Sequence, residues 1–136
     1  MVMDVGKEVD MPASNDIYED ERRQKPPGRR VALVAGVNHA PEEPNLSRLK
    51  YAESSVLGLS DVFKTTYCDF ELYTPPLLGQ EATTQAVRDA LLDAIDELGP
   101  DDLLVFYFCG HGSPVSIKAE ELDVYLVTHD FKEKHL

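Results

Sequence analysis

From Val31 onward the chain alternates between apolar runs and amphipathic stretches; the residues before it show no such pattern. Val31-Ala-Leu-Val-Ala-Gly-Val37 is continuously apolar and ends at Asn38 and a loop holding Pro41 and Pro44, which predicts a buried strand. Leu49, Ala52, Val56, Leu59 and Phe63 then recur at steps of three and four, the period of an amphipathic helix, with Ser47 as its expected N-cap. Residues 69–74 alternate polar and apolar, as in an edge strand or one with a wet face, and Pro75-Pro76 stops them. Thr83 is positioned to cap a second helix whose apolar face is Val87, Ala90, Leu91, Ala94, Ile95 and Leu98, ended by Gly99-Pro100. Leu103-Leu-Val-Phe-Tyr-Phe108 is the most hydrophobic stretch and predicts a central strand covered on both faces.

The order β-α-β-α-β predicts an α/β fold with a mostly parallel sheet flanked by helices. The third strand raises a difficulty. After it only Val124-Tyr-Leu-Val127 reads as another strand, before a polar tail from Asp130, so the greasiest strand lacks a neighbour. An apolar edge of that kind promotes aggregation. The expectation is a sheet incomplete in this chain and finished by another polypeptide segment.

Residues 1–28 contain no apolar periodicity and end in Lys25-Pro26-Pro27-Gly28, which predicts a flexible arm ahead of a domain spanning 29–136. Six basic and seven acidic side chains lie in residues 1–30, a net −1, so residues 31–136 carry −11 of the total charge of −12. That acidity argues against nucleic acid as a partner. No apolar run approaches the ~20 residues of a membrane span. Two cysteines without a CxxC pattern predict neither a disulfide framework nor a zinc site, and point to a cytoplasmic chain with reduced thiols. His39, His129 and His135 show no metal-ligand spacing, and no phosphate loop is present, so neither metal nor cofactor is expected.

Candidate chemistry lies where the apolar third strand runs into Cys109-Gly110-His111-Gly112. Reactive groups in open α/β sheets sit beyond the carboxyl ends of the strands, and flanking glycines leave an imidazole uncrowded. Phe106-Tyr-Phe-Cys-Gly-His-Gly112 resembles the histidine motif of the caspase-like cysteine peptidases, a group that includes caspases, metacaspases and bacterial relatives. Arg30–Asn38 resembles that family's first strand and Leu49-Lys-Tyr-Ala-Glu53 the start of its first helix. A helix begins at Thr83 where the family has one, and Val124-Tyr-Leu-Val-Thr-His-Asp130 resembles the short strand after the histidine loop. The resemblance runs over about residues 29–130, in order.

It implies a caspase-like sandwich and an endopeptidase working through a Cys–His dyad. His111 would be the catalytic histidine, and the Gly112 amide an oxyanion-hole donor. Arg48 lies near the place where caspases carry a substrate-binding arginine. Ser55 departs from the aspartate common in the first helix of relatives. The nucleophile of caspases follows the histidine by about 50 residues, and neither cysteine here fills that role. Cys109 lies inside the histidine motif, and Cys68 reads as a small buried hydrophobe.

The chain is therefore expected to be the histidine-bearing part of such a peptidase, inactive alone. Its partners would be a complementary cysteine-bearing fragment or subunit and a protein or peptide substrate. Bacterial relatives serve stress, defence or cell-death pathways. If specificity is for basic residues, Arg22-Arg23 and Arg29-Arg30 become sites for self-processing. The alternative is an inactive pseudo-peptidase acting as a binding or regulatory partner.

Overall fold

The computed structural model describes residues 28–118 and 121–133. The arm expected over residues 1–28 lies outside the described residues except for Gly28, which packs against the Asp101 backbone. Strand β1 (Arg30–Gly36) is followed by helix α1 (Ala52–Phe63), short strands β2 (Glu71–Leu72) and β3 (Leu77–Leu78), a 3-10 turn (Gly79–Glu81), and helix α2 (Thr84–Glu97). Strands β4 (Leu103–Cys109), β5 (Gly112–Lys118) and β6 (Glu121–Leu126) complete the order.

The coarse α/β expectation holds: β2, β3 and β4 all pair with β1 in parallel. β1 is the centre. β2 and β3 share one of its edges, joined in line by Tyr73, whose N–H donates to Ala32, and separated by Thr74-Pro75-Pro76. The prolines, which have no N–H, interrupt the pairing without ending it, so the strand resumes at Leu77 beyond the predicted stop. β4 takes the other edge over its whole length, Arg30 opposite Leu103 through Gly36 opposite Cys109.

The side chains of β1 and β4 alternate between two half-cores. Ala32 and Val34, with half-buried Tyr107 and Cys109, meet Val56 of α1; Ala35 and Val37, with Phe106 and Phe108, meet Val87 of α2. Val31, Leu33, Val34 and Val56 are essentially inaccessible, each worth about 1.5–3 kcal/mol of apolar burial. Thr83 caps α2 as expected, its hydroxyl accepting from Ala86 N at 3.1 Å.

Four expectations need correction. α1 begins at Ala52 rather than near Leu49, and Ser47 does not cap it. α2 buries Val87 and Ala94 but leaves Ile95 exposed. A hairpin, β5–β6, pairs antiparallel where the sequence predicted only the strand near Val124. β4 is an edge strand among the described residues: it pairs there with β1 alone, none of its residues is fully buried, and Leu103 is 46% exposed. Continuous apolarity predicted full enclosure, and the described residues supply it on two faces and one edge.

Candidate active site

The carboxyl end of the parallel sheet gathers the candidate groups. Val37 N donates to Cys109 O at 3.0 Å and ties the end of β1 to the end of β4. The chain turns at Gly110, where any Cβ would press on the Phe108 ring and approach the Val37 carbonyl, and delivers His111 beyond the strand.

His111 is held from both sides. Its carbonyl accepts Val127 N at 2.9 Å, and its ring Nε2 lies 2.6 Å from the carbonyl oxygen of Ser47. A carbonyl only accepts, so Nε2 carries a proton and, in the neutral ring, Nδ1 carries the lone pair. Nδ1 makes no hydrogen bond to a described residue. This is an imidazole with one nitrogen anchored and the other without a partner among the described residues.

Gly112 opens β5 opposite Leu126. The bond from Val127 N to His111 O falls one residue outside that pair, which makes Gly112–Leu126 a non-hydrogen-bonded pair. The Gly112 N–H therefore points away from β6. Arg48 is exposed, with no ion pair to a described residue, and directly follows the Ser47 carbonyl that anchors His111.

Neither cysteine is joined to His111 by a hydrogen bond among the described residues. Cys109 faces α1 beside Tyr107, and the neighbouring Cys109 sulfur, then burial, hold the Tyr107 hydroxyl above its ordinary pKa. Cys68 lies in the turn after α1 and is half-buried rather than a core residue. Both thiols are free.

The segment after the hairpin closes this end of the molecule. His129 N donates to Ala82 O, and Glu133 N donates to the carboxylate of Glu43. Asp130 accepts from Thr84 N at 2.8 Å and from the Thr128 hydroxyl at 2.9 Å. Burial pushes the Asp130 pKa up, but the bonds from Thr84, Thr128 and its own backbone N–H outweigh that and hold it below the usual carboxylate range. His39 and His129 each bury an Nδ1 without a partner among the described residues. No group of three His, Cys, Asp or Glu residues able to hold a metal occurs among those residues; His135 lies outside them.

Sequence reasoning singled out His111 and Gly112 as candidates but did not anticipate the Ser47 carbonyl. Every residue has a carbonyl, so no side-chain signal marks the one that a loop brings to an imidazole. No known family model, no curated protein and no solved structure matches this chain. No helix among the described residues is long and apolar enough to cross a membrane.

Proposed function

We propose that this chain is the histidine-bearing part of a caspase-like cysteine endopeptidase, with the nucleophile brought by a cysteine-bearing segment outside these 136 residues. The observation that carries the reading is the anchored His111: Nε2–H bound to the Ser47 carbonyl, Nδ1 without a partner among the described residues, and the Gly112 N–H directed away from the hairpin. The edge of β4 that has no neighbour among the described residues supports it, because an additional parallel strand there would cover the apolar edge and end beside His111.

In the assembled enzyme the thiolate attacks the scissile carbonyl carbon, forming a C–S bond, while the oxyanion takes the Gly112 N–H. Protonated His111 gives its Nδ1 proton to the amine as the C–N bond breaks. Water then loses a proton to Nδ1 and attacks the acyl-enzyme, releasing acid and thiolate. Arg48, beside the anchor, would contact substrate. The setting is cytoplasmic, where the thiolate stays reduced.

Native mass spectrometry of the protein purified from its source identifies the partner, and fluorogenic peptides ending in Arg, Lys or Asp assay the complex. The expected result is cleavage only by the complex, falling roughly 10²–10⁴-fold in His111→Ala. A complex that cleaves none of the peptides, or equally well after that substitution, refutes the reading. The first outcome, with a partner still seated on β4, would instead favour a pseudo-peptidase that works by binding.

A further inference from the structure

The loop of residues 38–50 carries the Ser47 carbonyl to His111, and its two ends are locked together. Asn38 N donates to Glu53 Oε1 at 3.3 Å, and Glu53 N donates to Asn38 Oδ1 at 3.1 Å, so each residue uses both backbone and side chain on the other. Asn38 O also accepts Leu49 N at 2.8 Å. Inside the loop, Glu43 N donates to Ala40 O, Leu46 N donates to Glu43 O, and Ala40 is buried. The Glu53 carboxylate has little room to leave. A Cβ on Gly79 would come within 3.0 Å of its Oε1, and Gly79 has a positive φ of 53° that suits glycine.

α1 has no cap from its own N-cap residue: Tyr51 makes no side-chain capping bond. Asn38, 15 residues earlier, bonds the Glu53 N–H in the first turn instead. Capping and loop closure are one device. From β1 it fixes where α1 starts, and so where residues 47–50 must lie. A carbonyl accepts strongly only if it stays in place and in line, and the 2.6 Å contact to His111 needs that placement.

We propose that the reciprocal Asn38–Glu53 pair is a positioning device that orients His111 by holding the Ser47 carbonyl against Nε2. It rests on the peptidase reading only for its consequence in catalysis; the hydrogen bond itself is observable without any activity.

The test is the imidazole N–H resonance of His111 in the full 136-residue chain, assigned by its loss in His111→Gln. In wild type the Nε2–H proton is expected downfield and slow to exchange with water. In Glu53→Ala, which strips the Asn38 N–H of its acceptor, exchange becomes about tenfold faster or the signal vanishes. The double variant Asn38→Asp with Glu53→Gln keeps a carboxylate–amide pair with both bonds possible, and is expected to restore the resonance. If Glu53→Ala does not fold, Glu53→Asp carries the same expectation, since it keeps the charge but reaches about 1.5 Å less far.

A wild-type chain without the protected proton overturns the proposal, as does its undiminished persistence in the single variants. In an active complex the single variants lower kcat roughly 10–100-fold with KM little changed. A protected proton in a complex that never cleaves peptides would leave the positioning device standing and remove the peptidase. An active complex indifferent to Glu53 would do the reverse.

Discussion

Helix α1 crosses β1 at Gly36, and the closeness of that crossing makes a signed prediction. A Cβ built on Gly36 lies 2.8 Å from Val56 Cγ2 and 3.2 Å from Glu53 Cα, both inside the 3.5–4.0 Å optimum for carbon contacts, and 3.2 Å from Ala52 O. Gly36 has no positive φ, so alanine fits the backbone and would gain about 0.4–1 kcal/mol by restricting the unfolded chain. Overpacking opposes this at about 1–3 kcal/mol. Two of the three contacts are helix backbone, which cannot rotate aside, so overpacking wins. Gly36→Ala should destabilise by about 1–2 kcal/mol. Val56→Ala, removing two buried methyls at about 0.8 kcal/mol each and leaving a void, should cost about 2 kcal/mol or more. In the double variant the methyl added at position 36 occupies part of that void and the tightest contact is gone. The combined loss should fall short of the sum by about 1 kcal/mol. Urea unfolding of the four proteins, with the slope m checked for constancy, measures this. A stabilised Gly36→Ala, or losses that add to within about 0.3 kcal/mol, would mean that α1 does not lie where it is described. The functional consequence is direct, since Glu53 is one of the residues the new methyl would displace.

Three further outcomes are expected. Thr83→Ala should cost about 1 kcal/mol through loss of the α2 cap, most of it recovered by Thr83→Ser in the same urea assay; equal losses in both would argue against the Ala86 bond. Asp130 has a depressed folded-state pKa, so its contribution is present above the ordinary aspartate value near 3.9 and is lost as pH falls through the folded value. Asp130→Asn should therefore flatten the acid limb of a melting-temperature profile below about pH 5, and an unchanged limb would refute the assignment. Trypsin acting on the native chain should spare the Arg29–Arg30 bond until global unfolding, because Arg29 N donates to Asp102 and Arg29 O accepts Leu103 N; early cleavage there, read by intact mass, would contradict this pairing. The same pairing argues against Arg29-Arg30 as a self-processing site, while Arg22-Arg23 lies outside the described residues.

Much of the architecture follows from the chain's own pattern. Unbroken apolarity at Val31–Val37 and Leu103–Phe108 specifies strands with two covered faces, because neither face offers water a polar residue. Thr83 and the periodic residues after it specify α2, and a histidine between glycines after an apolar strand marks the candidate site. These are local properties: period, capping and backbone permissiveness act within a few residues. Three features were decided by contacts between distant segments. Which apolar strand sits centrally depends on what pairs with each edge, and among the described residues β1 has strands on both edges while β4 has one. Where α1 begins is set by Asn38, bonded to Glu53 across 15 residues, not by the helical period, which ran through Leu49. The state of His111 is set by a main-chain oxygen 64 residues away, and a carbonyl leaves no mark in a sequence until the fold carries it to its partner.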